Sequence, residues 1–200
     1  MWEFFIIAKI KVVIKDIAKE NYKQAVFVIL IVIVALWLSK ETLNNEMIQE
    51  IISTYGYYGI FAISAISGFN LVVPIPVVTF LPAFLASGLE YWYVIFTIAL
   101  GMTTGDTFGY LVGKAGKTVM TRHMKGMMKN LTKWQKKNPR APLLFLAVYS
   151  VFAPLPNEVV VVPLAFLGYE LKKIFPIILT GNFIFNVLVS KGIIHIFNII

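Results

Sequence analysis

The sequence predicts an all-α integral membrane protein, an inverted repeat of re-entrant helical hairpins each followed by a transmembrane helix. Three observations predict it. Hydrophobic residues fill 58% of 200 positions and charged residues only 14%, against about a quarter charged in a soluble domain, so the excess apolar surface must face lipid. Pro74, Pro76 and Pro82, then Pro154 and Pro156, interrupt apolar sequence that an unbroken helix cannot continue through. Sliding the chain by 80 residues superposes Pro74 on Pro154, Pro76 on Pro156, Gly88 on Gly168, Glu90 on Glu170 and Gly101 on Gly181, with Asp106 falling on Asn186. These matches sit on residues that determine backbone conformation, where two merely greasy segments would pair Ile, Leu or Val.

Taken in order, residues 1–23 interleave apolar and charged side chains without a signal-peptide cleavage site and read as an uncleaved amphipathic helix at the interface. Residues 24–50 read as a first transmembrane helix and an external loop. Lys9, Lys11, Lys15, Lys19 and Lys23 precede that span, and Glu41, Glu46 and Glu50 follow it, which places the amino terminus in the cytoplasm. Residues 51–113 hold the first hairpin and its transmembrane helix, residues 114–141 a basic cytoplasmic segment, and residues 142–200 the second hairpin with its helix. Apolar stretches at 24–38, 56–88, 91–112, 142–169 and 174–199 approach or exceed the about 20 residues a crossing needs. A single crossing separates the hairpins, so the second copy enters upside down, the arrangement that commonly builds transport sites near the midplane. Broken backbone at membrane depth is tolerated only where protein or a water-filled cavity satisfies it, so the proline segments mark a site.

The net charge of +8 does not point to nucleic acid. Nine of the 18 basic residues lie from Lys114 to Arg140, and no acidic residue occurs between Asp106 and Glu158. Basic loops resist translocation, which accounts for that concentration. Met120, Met124, Met127, Leu131 and Trp134 recur there at helical spacing beneath the cations, as in a helix lying on an anionic leaflet or in a solvated connector with a small core-facing stripe. With no cysteine there is no disulfide framework and no thiolate chemistry. His123 and His195 lack companion ligands at metal spacing. The Gly-Lys pairs at 113–114 and 116–117 lack the phosphate-loop pattern. No nucleophile with an adjacent base can be assembled, so neither an enzyme nor a cofactor is expected.

The stretch Gly105-Asp106-Thr107-Phe108-Gly109-Tyr110-Leu111-Val112-Gly113-Lys114 resembles the Gly-Asp-x-x-Gly-Tyr-x-x-Gly-(Arg/Lys) stretch of the DedA membrane proteins, also called the SNARE-associated or VTT-domain family. The Pro74-Ile75-Pro76 hairpin ending at Gly88 precedes it and the Pro154-Leu155-Pro156-Asn157 hairpin ending at Gly168 follows it, so the resemblance covers residues 50 to 195. It implies two opposed re-entrant hairpins and lipid transport as a flippase or scramblase, with polyprenyl-phosphate carriers among the substrates of bacterial members. Those members usually carry acidic residues before and within the first hairpin and arginines around the second. Here the places hold Asn70, Val77, Val78 and Thr79, then Ser150, Pro156 and Asn157, which looks closer to the eukaryotic scramblase branch.

The expected substrate path runs past Asn70, Pro74, Pro76, Pro154, Pro156, Asn157 and Glu158. Glu158 either lies in that path, as an ionisable group in a membrane hairpin does by default, or is solvated at an emerging tip. Asp106, with Gly105 and Gly109, reads as a helix-end or hairpin-binding group in close packing and alternatively as an ion-coupling one. Asn182 and Asn186 read as interhelical glue, and Lys114 and Lys117 as cations that gather phosphate at the cytoplasmic leaflet. Membrane lipids are the expected partners, and a homo-oligomer stays open. An ion-coupled small-solute transporter and a non-transporting membrane adaptor are the competing readings.

Overall fold

The computed structural model of the chain describes residues 30, 33–34, 37–43, 45–68, 76–115, 129, 132–153 and 156–197. Among these every regular element is helical: α1 (Glu46–Gly68), a 3-10 turn (Val77–Phe80) that runs into α2 (Leu81–Ala86), α3 (Tyr91–Ala115), α4 (Ala141–Phe152), α5 (Glu158–Phe166) and α6 (Leu171–Phe197). The interfacial helix at 1–23, most of the first span and the methionine stripe lie outside the described residues. α1 begins at Glu46 and is kinked at Gly56 (φ 44°, ψ −127°), a conformation that glycine adopts without a Cβ clash.

Among the described residues one helix, over Leu171–His195, is long and apolar enough to cross a membrane. α3 matches it in length, at 25 residues, but Thr97, Thr103, Thr104, Asp106 and Thr107 dilute its hydropathy. These polar residues are not spread at random. Thr103 and Asp106 are buried, while Phe108, Leu111 and Val112 face outward.

Three prolines of the hairpins stand where their missing N–H costs least, although Pro163 and Pro176 lie inside α5 and α6. Pro76 and Pro156 stand just outside helices, and Pro82 occupies the first turn of α2, whose amides have no intrahelical partner anyway. Both short helices then end in the same way. Gly88 has φ 85° and Gly168 φ 83°. The Gly88 amide donates to Leu85 O (3.0 Å) and that of Leu89 to Phe84 O (3.2 Å). Eighty positions on, Gly168 donates to Ala165 O (3.1 Å) and Tyr169 to Leu164 O (3.1 Å). A left-handed glycine cap of this kind closes the helix and turns the chain, and each cap delivers it into a long helix.

Contact order along the helices gives their directions. Gly101 lies against Ser64 and Gly105 against Gly68, so α1 and α3 run parallel. Tyr169 bonds the Pro139 carbonyl and Gly181 lies against Ser150, so α4 and α6 are parallel too. Between α3 and α6 the order reverses: Tyr91 Oη meets Ser190 Oγ (2.7 Å), Asn182 meets Thr103, and Tyr110 Oη donates to Tyr169 O (2.8 Å). The two hairpin exits, at Glu90 and Tyr169, therefore lie at opposite ends of α3. The 19 steps from Tyr91 to Tyr110 separate them by about 28 Å at 1.5 Å per residue.

α3 makes the close approaches possible. Gly101 and Gly105 face α1, while Gly109 and Gly113, one and two turns further on, face Glu158 and Val162 of α5. Each glycine in a helix costs about 1 kcal/mol relative to alanine. A Cβ on Gly105 would run into the Gly68 backbone, so close packing of the two backbones is what offsets that cost.

Candidate functional site

Asn157 is the residue from which α5 starts, a position where Asn side chains usually cap the helix. Here the side chain makes no capping bond. Its Nδ2 donates instead to Asp106 Oδ2 (3.0 Å) on α3 and to Asn182 Oδ1 (2.9 Å) on α6. Asn182 Nδ2 in turn donates to the same Asp106 oxygen (2.9 Å) and to Thr103 Oγ1 (3.0 Å). The hydroxyl of Thr103 donates back to Ala99 O (2.7 Å). All four side chains are buried, so a chain of polar groups ties the tip of the second hairpin to the crossing of α3 and α6. In a low-dielectric interior such a network is strong when satisfied and damaging when one member is removed.

Glu158 stands next to it. Its side chain lies across Gly109, where a Cβ would come within 2.6 Å of Glu158 Cγ, and the residue is 5% exposed. The position in the first turn of α5 suits a carboxylate, because the helix dipole presents its positive end there. Asp106 stands three residues before Gly109 on α3 and bonds Asn157, the residue before Glu158, so both carboxylates belong to one buried neighbourhood. Asn186, one turn beyond Asn182, donates to the Asn182 carbonyl (2.7 Å) and to Met102 Sδ (3.4 Å). The latter contact is the Asp106–Asn182 pair moved by 80 residues in each chain segment, 106 to 186 and 182 to 102. The two contacts are thus related by the offset in position but not in chemistry.

Comparison with protein-family models, with curated proteins and with solved structures returned no match.

The structure brings together Asp106, Gly109, Asn157, Glu158 and Asn186. Gly105 belongs to the α1 contact rather than to this cluster. Pro156 is half-buried at the hairpin tip, with its carbonyl accepting from Tyr149 Oη (3.3 Å). Pro76 stands in the other hairpin, whose next residues Val77 and Val78 join an apolar cluster with Ile95, Ile98 and Ile193. Lys114 is exposed at the far end of α3. Asn70, Pro74, Pro154 and Lys117 lie outside the described residues. Sequence reasoning did not single out Thr103, although it stands one turn before Asp106 on the same face, a spacing that marks it as a neighbour. Among the described residues no three His, Cys, Asp or Glu side chains gather as a metal site would require.

Proposed function

We propose that this chain is a multi-pass membrane protein that moves lipids between leaflets as a scramblase, through a polar furrow at the tip of the second hairpin. The observation that carries the reading is the buried cluster of Asp106, Asn157, Glu158 and Asn182 inside a helical body whose outside is apolar. Ile66, Phe108, Leu144 and Phe152 are each more than half exposed, while Ser64, Thr103, Asp106 and Asn186 are buried. That inverted distribution suits lipid as the solvent and is unfavourable in water. Exposed Tyr58, Trp92 and Tyr93 lie at one end and Trp134 at the other, where aromatic belts meet the two interfaces. The separation of the exits matches the hydrocarbon thickness of about 30 Å. The cap geometry shared at Gly88 and Gly168 supports an inverted duplication of two re-entrant hairpins, and the resemblance to the DedA and VTT-domain proteins adds lipid as the cargo.

In this mechanism the headgroup, of a phospholipid or a polyprenyl phosphate, exchanges part of its hydration for the amides of Asn157 and Asn182 and for the backbone around Pro156, while the tails remain in lipid. The amino terminus and residues 114–141 stand in the cytoplasm, on the positive-inside bias. One observation favours a second reading, an ion-coupled small-solute transporter: two carboxylates, Asp106 and Glu158, are buried side by side, and intramembrane ionisable residues commonly relay protons. Flux of a leaflet-selective lipid probe in liposomes separates the two. Wild-type and Glu158→Gln proteins should both move lipid without an imposed pH difference, the variant with altered headgroup preference. Flux that appears only with the gradient and vanishes in Glu158→Gln would establish the coupled carrier. Absence of lipid and solute flux in both would leave the membrane adaptor.

A further inference from the structure

The two parallel helix pairs, α1 with α3 and α4 with α6, are packed alike but not filled alike. Ser64 on Gly101 corresponds to Ser150 on Gly181, and this register assigns partners to the neighbouring positions. Where the first pair carries Phe61, Phe96 and Leu100, the second carries Ala147, Pro176 and Thr180. The smaller set leaves a groove of about 350 Å³, lined by Ala147 and Val151 on α4 and by Pro176, Ile177, Thr180 and Ile184 on α6. Its exposed lining is almost wholly apolar, and Leu144, Val148 and Leu188 stand exposed beside it.

One end of this groove is charged. Lys173 precedes Ile177 by four residues and Pro176 by three, so it shares their face of α6, and Lys172 is its exposed neighbour. The segment 132–140 is fixed against the same end, because Gln135 Nε2 donates to Leu167 O (3.2 Å) and Tyr169 Oη to Pro139 O (2.7 Å). That brings exposed Lys133, Lys136, Lys137 and Arg140 to the side where Glu170 is the nearby exposed acid. The other end runs toward Gly181 and Asn182, beside the buried polar cluster.

We propose that the α4–α6 groove holds one acyl chain of an anionic phospholipid whose phosphate meets Lys172 and Lys173. The inference rests on the membrane-embedded reading above and adds to it a resident lipid beside the furrow, with a preference for negative charge. The apolar length fits a hydrocarbon chain, and the cations at a single end fit a headgroup that stays at the interface. Groove volumes of about 300–1,000 Å³ are usual for small-molecule sites.

The test is lipid retention, read by native mass spectrometry on protein reconstituted in vesicles of equal phosphatidylglycerol and phosphatidylcholine and then extracted in mild detergent. Wild type should keep one phosphatidylglycerol per chain. Ala147→Phe, which supplies the bulk that Phe61 gives the first pair, should lose it, and Thr180→Leu should do the same by an independent change. Lys172→Gln with Lys173→Gln should keep a lipid but lower the preference for phosphatidylglycerol over phosphatidylcholine by up to about thirtyfold, as expected for two cations at an anionic surface. Equal retention in wild type and both groove-filling variants would overturn the proposal. So would rapid disulfide dimerisation of Val148→Cys in this cysteine-free chain, which would show that a second copy covers the groove. Lipid flux measured on the same samples reports separately on the scramblase reading, because flux without retention removes only the groove and retention without flux removes only the transport.

Discussion

The two hairpins differ most where they match best. Position for position after the turn, Pro76 corresponds to Pro156, but Val77 and Val78 stand where Asn157 and Glu158 do, and all four side chains are buried. Facing them, α3 offers Asp106 and Gly109, whereas α6 offers Asn186 and Val189 at the corresponding places. Valine against valine makes an apolar seam that joins the cluster of Ile60, Leu81 and Ile193. Asparagine and glutamate against aspartate and glycine make a polar pocket with room for a longer side chain. The same turn of backbone therefore packs an apolar seam in one hairpin and a buried polar cluster in the other.

The largest effect should come from attacking what the halves share. Gly105→Leu places a side chain into the Gly68 backbone; overpacking typically costs about 1–3 kcal/mol, and here no flexible neighbour can yield, so the upper end is expected. Thermal unfolding in detergent checks it, and an unchanged midpoint would remove the backbone contact between α1 and α3. Next comes the polar pocket. Asp106→Leu strands the amides of Asn157 and Asn182, and a buried unpaired donor costs about 1–3 kcal/mol, or nearer 0.6 in membrane helices that find other partners. Asp106→Asn retains an acceptor and should recover most of that stability while removing the charge. Equal destabilisation by both would mean that charge, not hydrogen bonding, holds the hairpin tip.

A smaller effect should follow from making the halves more alike. Asn157→Val fits a backbone that holds valine at the corresponding place but takes a donor from buried Asp106 and Asn182, so it should cost about 1 kcal/mol of stability and lower lipid flux by about tenfold if the lost polar contacts are worth about 1.4 kcal/mol in the path. Undiminished flux would take the furrow away from the second hairpin. Least perturbing of all is a cysteine at the exposed Lys129, which should react only with reagents that reach the cytoplasm. Labelling from outside intact cells would invert the orientation of both hairpins together.

Much of this architecture was legible in the sequence because glycine and proline report on backbone. The 80-residue offset picked out Gly88 and Gly168, which the structure shows as left-handed caps, and aligned Asp106 with Asn186, whose contacts are with Asn182 and with Met102. It did not hold for the first arms, where Ser64 lies on Gly101 and Ser150 on Gly181, an offset of 86. Small residues that mark that register are common, so nothing in the pattern distinguished the slip. The partner of Asn157 was illegible for a related reason. The sequence places it only in the expected path, and it is the crossing of α3 and α6 that brings Asp106 and Asn182 within hydrogen-bond reach of its side chain.

The glycine face of α3 has a mechanical consequence. Helices normally lock by setting side-chain ridges into grooves, but at four successive turns α3 has no ridge to offer. Its neighbours are held there by area and by the few polar ties, not by interlocking teeth. α3 is thus a smooth rail between the two hairpins, and a displacement of the second hairpin along it is resisted chiefly by the bonds at Asp106 and Asn182 and by Glu158 lying over Gly109.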